Sequence, residues 1–294
     1  MKNILIINFN TQKLTEACIR SVNKHTPGCH IFVFDNSDKE PFVNTFKNVN
    51  IIDNTNGQII DFNKWLEKYP NRIKSNGKTN NWGSAKHAYT INKCMELIRE
   101  NFVLLDSDIL LKKDISELFR EDLLYVAETV LQPKSKIRRV LPYICFINNE
   151  LCSKNDVHYF NDDYMHGLRK TIKSDSYDTG AYFYLACEKL KHEEIKCNDY
   201  IEHYKAGSWT PEADKARKTK HISVDEWLEI NRDLWDENLD GNLTEVSRKS
   251  TPEPEKPKPA PEEKVMPVEK KKEAEVKYLK MAKTSDRKIG VLNR

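Results

Sequence analysis

The sequence predicts an α/β fold, a mixed sheet with helices on both faces, followed by a disordered C-terminal tail. Three observations carry that prediction. Compact apolar runs alternate with longer amphipathic stretches through the first 246 of the 294 residues, which is the rhythm of βα units. One such run, "FVLLDSDILL" at 102–111, ends in two aspartates one residue apart and then turns apolar again. The last 48 residues change composition altogether.

Taken in order, "ILIINF" reads as a buried strand. "TQKLTEACIRSVNKHT" reads as a helix with Leu14, Ala17, Cys18 and Val22 on one face, and "HIFVFDN" as a second strand. "VNIIDNT" gives a third strand. "GSAKHAYTINKCMELIRE" gives a helix with Ala88, Ile91, Met95 and Ile98 along a stripe, and "FVLLD" gives a fourth strand. Loops at the carboxyl ends of parallel strands are the natural ligand site of such a sheet. Beyond Asp108, "KDISELF" is a short helix, and "YVAETVL" and "LPYICFIN" are strands. "DTGAYFYLACEKL" is a turn running into a helix, and "HISVDEWLEINRDLWDEN" is a helix opened by a capping box of Ser223 and Glu226.

The tail, 247–294, holds six of the twelve prolines and no Phe, Trp or Cys, so it cannot bury enough apolar surface to offset the entropy of ordering. It carries fourteen Lys and Arg against eight Asp and Glu, a surplus of +6 that leaves −3 for residues 1–246. It is expected to be a solvated extension; its 269–283 stretch has helix-forming composition and is the part that would fold on a partner. Its lysines alternate with glutamates and its one aromatic is Tyr278, which makes nucleic-acid binding weak.

Seven cysteines in no C-x-x-C or zinc-like spacing argue for reduced thiols rather than a disulfide framework. The opening "MKNILIINFN" has an apolar stretch too short for a signal-peptide core, and no run approaches the roughly 18 apolar residues of a membrane span. A cytoplasmic protein without a membrane span is expected.

A buried charge is costly unless it is paired or bound to metal, so Asp106 and Asp108 need a partner. Strand periodicity places both carboxylates on one side if the chain stays extended, where they can grip a divalent ion. A bare D-x-D is also a turn or helix-cap pattern. Its position after three βα-type units is what sets it apart.

Residues 2 to about 209 resemble a GT-A-fold glycosyltransferase, a Rossmann-like nucleotide-diphospho-sugar transferase, closest in its opening to the family 2-like group. The likeness lies in "IINFNTQKLTEACIRSV", "FVFDNSD", "GSAKHAYTIN", "VLLDSD", "YDTGAY" and "HYKAGSW". It implies Asn8, Asn10 and Thr11 at the nucleotide, Asp35 and Asn36 at the base, and Asp106 and Asp108 on Mn²⁺ or Mg²⁺ bridging the diphosphate of a donor, with UDP-sugars favoured. "HYKAGSW" resembles a metal and diphosphate motif of several sugar transferases. It gives His203 as a third metal ligand, Lys205 and Ser208 as phosphate contacts and Trp209 as a lid. Ser84 and His87, at a helix start, are further donor contacts. Asp178 of "YDTG" is either the base that takes the acceptor's proton in an inverting transfer or a cap for the helix that follows. The opening departs from the family in having "INFNTQKL", and only the lone Asp178 stands where the family carries an acidic pair.

Two features read as solvated surface: the loop with Asp162 and Asp163, whose functional alternative is an acceptor or sugar contact, and the basic patch "KSKIRR" at 134–139, whose alternative is an anionic acceptor. The acceptor, whether glycan, protein or nucleic acid, is not specified by these motifs. Two other functions fit part of the pattern. A haloacid-dehalogenase-type phosphatase would use Asp106 as nucleophile and Asp108 as acid/base, and a non-catalytic scaffold would keep the nucleotide fold and recruit a partner through the tail.

Overall fold

The computed structural model describes residues 2–68, 82–131, 138–161, 178–204 and 222–237. Asp162, Asp163, Lys205, Ser208, Trp209, residues 134–137 of the basic patch and the tail lie outside the described residues.

The chain runs β1 (Asn3–Asn8), α1 (Gln12–His25), β2 (His30–Asp35), β3 (Val49–Asp53), α2 (Phe62–Lys68), α3 (Trp82–Ile98), β4 (Phe102–Asp106) and β5 (Ile109–Leu111). There follow β6 (Tyr125–Leu131), β7 (Arg138–Ile147), α4 (Asn149–Lys154), α5 (Ala181–Cys187), β8 (Glu193–Glu194), β9 (Ile201–His203), α6 (Val224–Ile230) and α7 (Arg232–Trp235). Seven strands form one mixed sheet in the order β3-β2-β1-β4-β7-β6-β8. The first four of that order are parallel; β7 is antiparallel to β4 and to β6, and β8 runs parallel to β6. β1 is buried at all six positions and β4 at its first four, which is why both read as continuous apolar runs rather than alternating ones.

Alternate residues of these strands feed two cores. Leu5, Ile7, Leu104 and Cys145 pack against Ala88, Ile91 and Met95 of α3 and Phe183 of α5 on one face. Ile4, Ile6, Val103 and Leu105 pack against Cys18, Ile19 and Val22 of α1 on the other. The C-terminal helix docks through Trp227 and Leu228 on Leu14 and Ala17 of α1 and Leu110 of β5. The Ser223 half of its expected capping box forms, with Ser223 Oγ accepting from the Glu226 N–H at 3.1 Å. The helix expected as continuous over 221–238 is broken at Asn231 into α6 and α7. "KDISELF" contributes only a single 3₁₀ turn, Ser116–Leu118.

All seven cysteines are free and buried, and burial pushes the thiols of Cys94, Cys145, Cys152 and Cys197 up, the last two to about 12. Thiols so protonated and enclosed are poor nucleophiles, which fits structural packing rather than chemistry. No helix among the described residues is long and apolar enough to cross a membrane.

Candidate active site

The parallel strands end level with one another. Asn8 pairs in register with Asp35, and Asp35 with Asp53, while Asp106 lies beside Ile7. The polar residues that follow β1, β2 and β4 therefore gather along one edge of the sheet. Thr11 ties two of these loops together: its hydroxyl donates to Asn8 Oδ1 at 2.9 Å and lies 3.1 Å from the Ser107 hydroxyl, with which it shares a hydrogen bond.

Asp108 lies just beyond the end of β4, and β5 begins at the next residue. β5 pairs antiparallel with β9, with Ile109 opposite His203, and the Tyr204 N–H donates to the Asp108 carbonyl at 2.9 Å. This small ribbon carries His203 to the aspartates from almost a hundred residues away in sequence. His203 Nε2 stands 3.3 Å from Asp108 Oδ1, and His87 Nε2 of α3 stands 3.5 Å from Asp106 Oδ1. Asp106, Asp108 and His203 each offer one ligand atom, all within 4.8 Å of one another. Burial pushes the Asp106 carboxyl up; His87 acts against this and Asp108 adds to it. Two carboxylates and an imidazole can hold a divalent cation, and a divalent charge is what would offset the enclosed pair.

Asp178 lies in the turn that leads into α5. Its Oδ1 accepts from the Ser84 hydroxyl at 2.7 Å and from the Thr179 N–H at 2.9 Å, and its Oδ2 pairs with Arg139 Nη1 at 3.1 Å. Asp178 is not the cap of the following helix. That place belongs to Gly180, in the left-handed conformation. Ser84 lies inside the first turn of α3 and serves Asp178, so the plain N-cap alternative does not hold for it either.

Asn8 and Asp35 are almost fully enclosed, and their polar atoms build the loops. Asn8 donates to Asp35 Oδ1 and Ser37 Oγ, both at 2.9 Å, and accepts from Thr11 and Thr15. Asp35 also accepts from the N–H groups of Ser37 and Phe42. Asn36 bridges Thr90 of α3 and Asn54. Asn10, at φ +54°, accepts from the N–H groups of Lys39 and Glu40 and donates to Asp38 at 2.6 Å.

Two residues gain a place that the sequence did not give them. Phe9, next to Asn8 and 37% exposed, lies under the Lys86 ammonium at 4.6 Å, and Phe62 lies 5.4 Å from the same group. Burial lowers the Lys86 pKa. Arg139, expected on a solvated face, is turned inward with its side chain only 15% exposed. Its neighbour Arg138 is the exposed one, paired at 3.5 Å with Glu194. Pro142, three residues into the strand after Arg139, is the signal that could have marked this stretch as irregular.

No protein-family model matches the chain. No curated protein matches it. Among solved structures it is similar to the glycosyltransferase GlyE of Streptococcus pneumoniae TIGR4, at 11% identity over 67% of this chain and 46% of that one, with a TM-score of 0.39. It is similar to the galactosyltransferase LgtC in complex with donor and acceptor sugar analogs, at 14% identity over 66% of this chain and 73% of that one, TM-score 0.42. The bifunctional glycosyltransferase WbbM is similar at 13% identity over 66% of this chain and 38% of that one, TM-score 0.40. The chain spans less than half the length of the GlyE and WbbM chains. These neighbours are glycosyltransferases.

Proposed function

We propose that the chain is a metal-dependent glycosyltransferase that moves a sugar from a nucleoside-diphosphate donor, with UDP-sugars favoured, to an acceptor hydroxyl. The observation that carries this is the Asp106, Asp108 and His203 cluster at the carboxyl edge of the parallel strands. Those three residues would hold Mn²⁺ or Mg²⁺, whose chemistry is to neutralise the donor diphosphate as it departs.

The protein's own groups supply the rest. The loops fixed by Asn8 and Asp35 present Asn10, Thr11 and Asn36 to the nucleoside, and the exposed ring of Phe9 beside Lys86 offers a face for the base. Lys205, Ser208 and Trp209, which follow β9 in the chain, are the diphosphate contacts and the cover. His87, with Nε2 3.5 Å from Asp106 Oδ1, is a donor contact near the start of α3. Asp178 is the carboxylate against which the acceptor hydroxyl is set and to which its proton passes in an inverting displacement. Ser84, Thr179 and Arg139 orient it, so the pair with Arg139 must loosen as the proton arrives. The 1–246 and 247–294 division is part of the same reading, with the tail available to a partner and the catalytic part placed in the cytoplasm.

The test is release of free UDP from a panel of UDP-sugars with Mn²⁺ present. Turnover that disappears with EDTA and returns with Mn²⁺ is expected, and Asp178→Asn should lower kcat by about 10²-fold or more. Release of phosphate from sugar phosphates without any nucleotide would replace this reading with the phosphatase one.

A further inference from the structure

The ribbon that carries His203 has two faces, and they rest on different parts of the molecule. Ile109 and Leu111 of β5 and Ile201 of β9 are buried in the core that the sheet shares with Cys18, Ile19 and Val22 of α1. Leu110 and Tyr204, at the alternate positions, pack instead with Leu14 and Ala17 of α1 and with Trp227 and Leu228 of α6. A two-stranded ribbon of three residues a strand is not stable alone, so what covers it sets its geometry.

We propose that Tyr204 is a positioning residue that couples the C-terminal helix pair, α6 and α7, to the metal-ligand cluster. Seating of the pair on α1 and binding of a divalent ion at Asp106, Asp108 and His203 then strengthen each other. The proposal rests on the metal site of the glycosyltransferase reading above.

Three observations support it. The first is that Tyr204 belongs to both systems. It directly follows His203, and its N–H donates to the Asp108 carbonyl at 2.9 Å. Its ring centroid stands 5.3 Å from that of Trp227, and its hydroxyl donates to the Ile222 carbonyl at 2.8 Å. One residue, next to one ligand and bonded to the backbone of another, is thus held from the C-terminal side.

The second is the way the pair is seated. α6 and α7 have seven and four residues, below the length at which a helix holds in water. α1 grips them at both of its ends. Lys13 pairs with Asp225 at 2.8 Å, while Lys24 Nζ donates to the Asp233 carbonyl at 2.8 Å and His25 Nε2 lies 3.2 Å from the Leu234 carbonyl. The last two contacts occupy carbonyls that a helix end leaves without partners of its own.

The third is that α1 meets the aspartates as well. It follows Thr11, whose hydroxyl bonds with that of Ser107, the residue between Asp106 and Asp108. Movement of the pair on Leu14 and Ala17 therefore reaches the D-x-D through α1 and His203 through Tyr204. Two events that each order the ribbon favour one another by the same factor, because coupling of binding equilibria is reciprocal.

The experiment uses the full chain, as wild type, Trp227→Ala, Tyr204→Phe and Leu123→Ala. Leu123 is buried just before β6, which β7 separates from β4, so its truncation is the control for general loosening. Mn²⁺ is titrated alone and with UDP by loss of the free-ion paramagnetic resonance signal, and hydrogen exchange of 222–236 is followed with and without saturating Mn²⁺. Mn²⁺ affinity is expected to fall about tenfold in Trp227→Ala and about threefold in Tyr204→Phe, which loses only the hydroxyl, and to stay within about twofold in Leu123→Ala. Exchange of the α6 amides in the wild type is expected to slow about tenfold with Mn²⁺. An affinity in Trp227→Ala within about twofold of the wild type overturns the proposal, and so does an equal loss in Leu123→Ala. If Trp227→Ala does not fold, unchanged affinity in Tyr204→Phe together with unchanged exchange in the wild type overturns it. The glycosyltransferase reading fails separately: Mn²⁺ binding without any UDP binding removes the nucleotide donor, and the coupling is then decided by Mn²⁺ alone. A wild type that binds no Mn²⁺ overturns both.

Discussion

Replacing Gly180 with alanine is expected to destabilise the protein by on the order of 3 kcal/mol, enough to lower Tm by roughly 6–12 °C in a domain of this size. Gly180 sits at φ +83°, a conformation that L-residues adopt at a cost of about 1 kcal/mol. The larger part is contact. A Cβ there would meet the Val140 carbonyl oxygen at 2.0 Å and its carbon at 3.0 Å, which are backbone atoms of β7 and cannot swing away. The Gly180 carbonyl accepts from the Val140 N–H at 3.2 Å, so the turn and the strand are bonded where they are closest. Gly28 separates the two causes. It has nearly the same φ, +81°, but nothing within 4 Å of its Cβ position, so Gly28→Ala should cost only about 1 kcal/mol. Equal Tm losses in the two variants, measured by calorimetry, would refute the close approach. The approach matters for function because Val140 follows Arg139 and Gly180 follows Asp178 by two residues; forcing the backbones apart separates that pair.

The second large effect concerns the aspartates. Converting both Asp106 and Asp108 to asparagine is expected to raise the Tm of the metal-free protein while abolishing its response to Mn²⁺ with nucleotide. The two carboxylates are only 18% and 12% exposed, and burial and Asp108 both push the Asp106 carboxyl up. Without a cation, the folded state holds like charges away from water, and removing that repulsion with neutral isosteres is expected to gain on the order of 1 kcal/mol. Sites held for function at the expense of stability behave in this way. A fall in Tm would instead show that the His87 and His203 contacts make the cluster a structural ion-pair network.

The parts of this site that the sequence reveals are those set by local pattern. Continuous apolar runs mark β1, β2 and β4 because both faces of the sheet are covered, and the D-x-D marks the edge because two acids at the end of such a run are costly. What escapes the sequence is set by pairing at a distance. β5 and β9 are three residues each, too short for any periodicity, yet their ribbon is what brings His203 to Asp108. α2 and α4 are likewise too short to show a stripe. Asn8 and Asp35 look like ligand contacts because they are polar at strand ends, and only the structure shows their atoms engaged in holding the loops. Arg139 is hidden by its neighbours, since a run of basic residues reads as surface unless the bulge at 141–144 is known.

The most direct test of the central claim is a thermal-shift titration of the wild type with UDP, GDP and their sugars, with and without Mn²⁺, beside the Asp106→Asn, Asp108→Asn variant. Stabilisation that requires nucleotide and Mn²⁺ together is predicted for the wild type, worth about 2.7 kcal/mol at a hundred times the dissociation constant, and none for the variant. Equal stabilisation of both proteins, or no shift with any nucleotide, would contradict a metal-bridged diphosphate site at Asp106, Asp108 and His203.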